Sequence, residues 1–349
     1  MRPSVTAPSR QNMETRVLKV GRCRPCRAVV ASAARVIRRG GVVAFPTETV
    51  YGLGADALNG GAVKGIYAAK GRPRDNPMIV HIADFDDLFL LSDCVPEAAL
   101  KAAKHFWPGP LTIVVRKAAC VPSETTGGLG TVAVRMPSHP VALALIRAAG
   151  TPIAAPSANL SGRPSPTSAS HVLSDLGGRI PVILDGGETD IGLESTVVDF
   201  TGAKPVILRP GKVTSEMLSE AVGVAVSPGG RGRGEARSPG MKYRHYSPAA
   251  KVVVVRGRGG GVRKKIRGLV ASLGRRDLKV ATLGTTGYGA DLTFTHRSPE
   301  ELARKLYRSF RESDLEGADV IIVEAPTEEG MGRAVMNRLR KAASRIVVA

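Results

Sequence analysis

Three cations and an amide crowd into residues 70–82, read KGRPRDNPMIVHI, a proline-punctuated turn that runs straight into an apolar strand. A helical-looking run over 61–70 stops at Gly71, Pro73 and Pro77 forbid regular structure, and strand-like residues resume at Met78. Lys70, Arg72 and Arg74 therefore lie at a helix-to-strand connector. Arginine's planar fork matches phosphate oxygens and lysine supplies a compact charge, so the pattern suits a phosphate grip. A solvated basic turn is the other reading, and the stretch alone does not choose between them.

Other polar stretches also follow short apolar runs. In TETVYGLGADA, Thr47, Glu48, Thr49 and Tyr51 follow a strand end, and Gly52 and Gly54 allow close backbone approach to a ligand. An ordinary glycine turn is the alternative there. In APSANLSGRPSPT, Ser157, Asn159, Ser161, Ser165 and Thr167 offer hydroxyls and an amide on a path pinned by prolines, and small Ala154 and Ala155 leave main chain accessible. Further on, GGETDIGLEST and Arg209-Pro210-Gly211 repeat the arrangement. Arg135 stands inside TVAVRM, as an outward residue of an alternating strand or as a buried carboxylate partner; alternation favours the first. Several such turns converging at strand ends of one sheet form a pocket, because ligands favour those loops.

The elements that must position these turns are short. Strands are expected over 42–45, 78–82, 111–115, 131–136, 152–155, 182–185, 196–200 and 205–208, with helices over 28–39, 61–70, 84–91, 97–106 and 213–222. Residues 228–240 are a Gly/Arg/Ser/Pro linker, and Lys242, Tyr243, Arg244, His245 and Tyr246 follow it with the composition of either a binding surface or a basic connector. Beyond it, strands over 252–255, 279–283, 320–324 and 345–348 alternate with helices over 263–272, 299–313 and 333–344, the rhythm of a small parallel sheet with crossover helices. Gly257-x-Gly259 lacks the spacing of a dinucleotide fingerprint and reads as a loop. The expected organisation is a disordered extension over 1–15, with Met13 an alternative start, then a catalytic domain over 16–222, a linker or lid over 223–249 and a second α/β domain over 250–349.

Charge bounds the partners. Fifty basic against thirty acidic residues give +20 over 349 residues. Residues 241–349 hold 22 basic and 11 acidic groups, which leaves 28 and 19 before them, so both parts are basic and charge selects no face. Polyanions, nucleotide or nucleic acid, are the expected company. Seven Phe, six Tyr and one Trp are few for a base-stacking platform. No apolar run approaches the roughly 20 residues of a membrane span and no signal-like core opens the chain, so a cytoplasmic protein without membrane contact is expected. Cys23, Cys26, Cys94 and Cys120 fit neither a disulfide framework nor a complete zinc site, and no metal site is expected.

Taken in order, FPTETVYGLGADA, Lys70-x-Arg72, the strand with Arg135, Ser157-x-Asn159, LEST and LRPG resemble the YrdC-like family over about 28–212. With GMKYRHYSP and the alternating C-terminal part, the whole chain is similar to that family's longer two-domain form. The resemblance implies an α/β fold, with a twisted mixed sheet and a smaller Rossmann-like parallel domain. It also implies a nucleotidyltransferase that makes threonylcarbamoyl-AMP and diphosphate from L-threonine, bicarbonate or CO2 and ATP, for threonylcarbamoyladenosine in ANN-decoding tRNAs. An RNA-binding module of the same fold without catalysis is the second expectation.

Carried over by position, the family pattern puts the nucleotide and its phosphates near Arg72, Asn76, Thr131, Ser157, Asn159, Ser165 and Arg209, with Lys70 and Arg72 the catalytic cations. Threonine lies against Thr49, His81, Arg135, the main chain at Ala155, and Ser195, which turns Arg135 from a surface residue into the partner of the substrate carboxylate. The linker is expected to fold back as a lid, bringing Tyr243 to the nucleotide. Magnesium arrives on the triphosphate, a tRNA threonylcarbamoyl transferase complex takes the product, and room is left for weak tRNA binding.

Overall fold

The computed structural model describes residues 14–229, 246–257 and 259–349, so Tyr243 and its neighbours 242–245 lie outside the described residues. The chain opens with β1 (Arg16–Lys19), α1 (Arg27–Arg38), β2 (Val43–Phe45), β3 (Gly52–Asp56), α2 (Gly60–Lys70) and β4 (Ile79–His81). Next come α3 (Asp87–Leu91), α4 (Glu97–Phe106), β5 (Leu111–Arg116), α5 (Ser123–Thr126), β6 (Thr131–Arg135), α6 (Pro140–Ala149), β7 (Ile153–Ala154) and α7 (Ala169–Leu176). This part closes with β8 (Val182–Asp185), β9 (Thr196–Asp199), β10 (Val206–Arg209), α8 (Ser215–Val222) and β11 (Ser227–Pro228). The rest is β12 (Lys251–Arg256), α9 (Gly260–Gly274), β13 (Val280–Gly284), β14 (Leu292–Thr295), α10 (Pro299–Leu315), β15 (Val320–Glu324), α11 (Gly330–Ala342) and β16 (Arg345–Val348).

Eleven strands form one sheet in the order β1-β8-β2-β3-β7-β4-β6-β5-β9-β10-β11. It is mixed: β2 runs antiparallel to β3, β3 to β7 and β5 to β6, whereas β4 and β6, and β5 and β9, are parallel. A second sheet, β14-β13-β15-β12-β16, is parallel throughout. Its crossover helices cover both faces, α9 packing with Val255 and Ile322 on one side and α10 and α11 with Val254 and Val323 on the other. Counted in chain order its strands run 3-2-4-1-5, unlike the 3-2-1-4-5-6 of a dinucleotide-binding sheet.

Local chemistry sets the element ends. Helix α2 starts where the Asn59 side chain accepts from Ala62 N and stops at Gly71, whose φ of 61° is the left-handed conformation glycine adopts without strain. Helix α1 buries Val30, Ala33, Ala34 and Ile37, spacings of three and four residues that make one face. Strand β3 corrects the glycine-turn alternative: a Cβ on Gly54 would lie 2.5 Å from Ile153 Cγ2 and 2.7 Å from Phe45 Cε1, so these glycines let side chains of flanking strands close over β3. Several further elements escape the sequence reading, α6, α7 and β14 among them. Helix α6 is apolar nearly all round and shows no amphipathic stripe, α7 is only eight residues long, and β14 is a four-residue edge strand.

Two expected boundaries move. Thr15 is anchored, its hydroxyl donating to Ile180 O at 2.6 Å, so the expected extension over 1–15 is too long at its end. The 223–249 segment begins inside the sheet, because β11 pairs with β10 and Gly229 N donates to Ile207 O at 2.9 Å. The second sheet is not a separate bead: Val50, Ile191 and Leu193, from loops of the first sheet, share one apolar cluster with Leu302, Tyr307 and Leu339. Among the described residues no helix is long and apolar enough to cross a membrane.

Candidate active site

The loops that follow β2, α2 and β7, the loop before β9 and the end of β10 line a small cavity of about 60 Å³. Its wall brings together Thr49, Arg72, His81, Arg135, Ala155, Ser157, Asn159, Ser165, Ser195 and Arg209, all expected from sequence. Arg72 is held to the wall by its own turn, Nη2 donating to Pro77 O at 2.9 Å and Nε to Asn76 O at 3.3 Å. Burial brings its guanidinium down to about 10, still charged at neutral pH. Arg209 donates from Nε to Ser195 O and from Nη2 to Ser195 Oγ, both at 3.1 Å, and Ser195 Oγ lies 2.7 Å from the Thr112 hydroxyl.

Arg135 is different. It is 3% exposed, donating to Glu48 Oε1 at 2.5 Å, to Thr49 Oγ1 at 2.9 Å and to Gly109 O at 3.2 Å. The outward reading of Arg135 is therefore corrected: in β6 it faces the cavity as the partner of a buried carboxylate, and Glu48, named only as a polar neighbour, is that partner. Beside it His81 places Nδ1 3.2 Å from Ile79 O and meets Phe45 edge-on. Burial, then the Arg135 charge, lowers the His81 pKa to about 3, so the ring is neutral.

Three expected residues stand outside the wall. Lys70 is 2% exposed, and its ammonium donates to the carbonyls of Ser157 and Asn159. Burial and then Arg72 push its pKa well down. The lysine thus fixes the 157–159 turn from behind, which corrects its expected place among the catalytic cations that meet substrate. Asn76 acts through its main chain, its carbonyl holding Arg72 Nε, while its buried Nδ2 finds no partner. Thr131 opens β6, four residues or roughly 13 Å along the strand from Arg135, and is not in the wall.

The wall also contains residues the sequence reading passed over. Tyr246, from the aromatic stretch that suggested Tyr243, is 5% exposed, lines the cavity and stacks on Tyr307 with ring centroids 5.6 Å apart. Glu194, inside the quoted LEST, accepts from Ser165 Oγ at 2.6 Å and from Arg338 Nε at 2.9 Å. Burial alone would raise its pKa, but Arg338, Arg209 and these hydrogen bonds bring it down to about 2. Tyr246 was findable as the other ring of its motif; Arg338 lies 144 positions from Glu194 and gave no local signal. Among the described residues no three His, Cys, Asp or Glu side chains converge as a metal site.

Comparison with known proteins gives the family. The family model Sua5_yciO_yrdC, described as Telomere recombination, matches residues 35–211, and that described as the C-terminal domain of threonylcarbamoyl-AMP synthase matches 213–344. Threonylcarbamoyl-AMP synthase of Pyrococcus abyssi is 54% identical over 314 residues, covering 89% of this chain and 92% of its own. The Bacillus subtilis enzyme of that name is 48% identical, covering 91% and 94%. The crystal structure of P. abyssi Sua5 complexed with L-threonine superposes with a TM-score of 0.92 at 50% identity, over 95% of this chain and 99% of that one. With both family models matched in order, this chain belongs to the Sua5/YrdC family in its two-domain form, and is an enzyme of the threonylcarbamoyl-AMP synthase, nucleotidyltransferase type.

Proposed function

We propose that the cavity joins L-threonine, bicarbonate or CO2 and ATP into threonylcarbamoyl-AMP and diphosphate, supplying threonylcarbamoyladenosine formation in ANN-decoding tRNAs through a separate transfer complex. The observation that carries this reading is the convergence of three buried arginines, Arg72, Arg135 and Arg209, in one wall with the hydroxyls and amide of Thr49, Ser157, Asn159, Ser165 and Ser195, a lining suited to anions. Arg135 uses three of its five N–H donors on the protein, and the other two suit the threonine carboxylate. Thr49, neutral His81, Ser195 and the Ala155 main chain surround that end. Arg72 and Arg209, with Ser157, Asn159 and Ser165, take the triphosphate and nucleotide.

The threonine amine adds to CO2 and loses a proton, giving an N-carboxylate. One of its oxygens bonds to the α-phosphorus of ATP as the bond to the bridging oxygen breaks, and diphosphate leaves with that electron pair. No protein nucleophile takes part, so the chain contributes alignment and neutralisation of two anions that otherwise repel. Among the described residues Glu194 is the one carboxylate in the wall and is already bonded by Ser165 and Arg338, a donor set that fits magnesium carried by phosphate oxygens.

The test is diphosphate release from MgATP with labelled threonine and bicarbonate. Release should require all three, and release that continues unchanged without threonine or bicarbonate removes the proposal. A gel-shift with tRNA across salt, run beside it, reports on RNA contact: tight binding without turnover favours a binding module instead.

A further inference from the structure

Two carboxylates that belong to the first sheet's part of the chain, Asp175 on α7 and Glu194 in the loop before β9, are met by buried arginines from helices of the second. Asp175 pairs with Arg311 of α10, Oδ2 to Nη2 2.8 Å, away from the cavity wall. Glu194 pairs with Arg338 of α11, and Glu194 is in the wall while Arg338 stands behind it. Arg338 has no exposed surface, and one guanidinium holds two loops, Nη1 donating to Pro210 O at 2.6 Å and Nη2 to Glu194 O at 3.3 Å. Those loops carry Ser165's acceptor and Arg209. The Tyr307 hydroxyl, also from α10, lies 3.2 and 3.1 Å from the two Glu194 oxygens.

We infer that Arg338, assisted by Tyr307, is a positioning residue for the nucleotide half of the cavity, acting through Glu194 and Pro210. The inference rests on the adenylate-forming reading above. A lone carboxylate facing a triphosphate repels it, and in a site of low dielectric that repulsion is strong. Arg338 offsets that charge from behind the wall, with Arg209 adding to the offset, and Ser165 is oriented by a fixed acceptor. The second domain thereby supplies part of the site's electrostatics without touching substrate.

Calorimetry with MgATP and with L-threonine, on the full chain, separates this from plain interface adhesion. Arg338→Met should weaken MgATP binding on the order of tenfold, as for a typical site-to-site coupling, and leave threonine affinity within about twofold. Glu194→Gln with Arg338→Met should recover most of the loss, because the uncompensated charge is gone, and the Arg338→Met deficit should narrow as pH falls from 7 to 5 and Glu194 takes up a proton. Tyr307→Phe, which keeps the ion pair, should cost roughly threefold in MgATP affinity and keep the fold testable should Arg338→Met misfold. Arg333→Met, which removes a contact of α11 with Ser215 and Glu216 away from the cavity wall, serves as the off-cavity comparison, with near-normal MgATP binding relative to Arg338→Met. Parallel loss of both ligands in Arg338→Met or Tyr307→Phe, or no recovery in the double variant, overturns the inference alone. A wild-type chain that binds threonine but not MgATP overturns the functional reading together with it.

Discussion

Arg135 and Arg72 look alike in sequence and differ in what holds them, so their substitutions should separate. Arg135→Ala is a poor probe, since removing one partner of a buried pair leaves Glu48 uncompensated at a cost of about 3–5 kcal/mol. Arg135→Lys keeps the charge and loses the fork, and should weaken threonine by about 1.5–3 kcal/mol while sparing MgATP. Arg72→Gln should do the reverse, since its partners are carbonyls that an amide can still meet. Calorimetry with each ligand on each variant decides, and equal damage to both ligands by both variants would show that the cavity is not divided as proposed. His81 supplies a pH signature. Its folded pKa, about 3 against an ordinary 6.5, means that between these values the unfolded chain binds a proton the native one refuses. Stability therefore falls as pH drops through that window and is unaffected by this group above it. His81→Gln should reduce the slope by about 1.4 kcal/mol per pH unit between pH 6 and 4 in denaturation curves, and an unchanged slope would mean the ring titrates normally.

At the scale of elements, the polar strand-end turns were legible because hydroxyls, amides and arginines crowd into short local stretches such as 157–167 and 70–76. Their strands were legible for the same local reason, apolar β-branched runs ended by glycine or proline. What sequence alone could not supply was direction and depth. Lys70 and Arg72 are two residues apart, yet the left-handed Gly71 turns one behind the wall and the other into it. Strand β3 hid because two glycines in five residues normally signal a turn, and only the closure of Phe45 and Ile153 over it explains them. Gly54→Ala should accordingly overpack that contact and destabilise by about 1–3 kcal/mol, read as a lower denaturation midpoint. A neutral or stabilising alanine would mean that β3 has room the structure does not show.

At the scale of the molecule, the question is what the first sheet is worth without the second. All eleven of its strands fall within residues 16–228, so a chain truncated after Gly240 keeps every strand pairing of the larger sheet. It loses the apolar cover over Val50, Ile191 and Leu193 and the arginines that face Asp175 and Glu194. Water can then reach both carboxylates, so the penalty is smaller than for a buried lone charge. The consequence falls locally, on the 186–195 loop and the end of the cavity it walls. Such low-cost openings are confined to the segment that lost its packing when the rest of the core is intact. The truncated protein should retain slow amide exchange in β5 and β6, lose protection across 187–195, and bind MgATP more weakly than threonine relative to the full chain. Matching protection in that loop together with full MgATP affinity would show that the second domain is dispensable to the site. Global loss of protection would show instead that the shared cluster around Val50 and Leu193 is needed for the first sheet to fold at all.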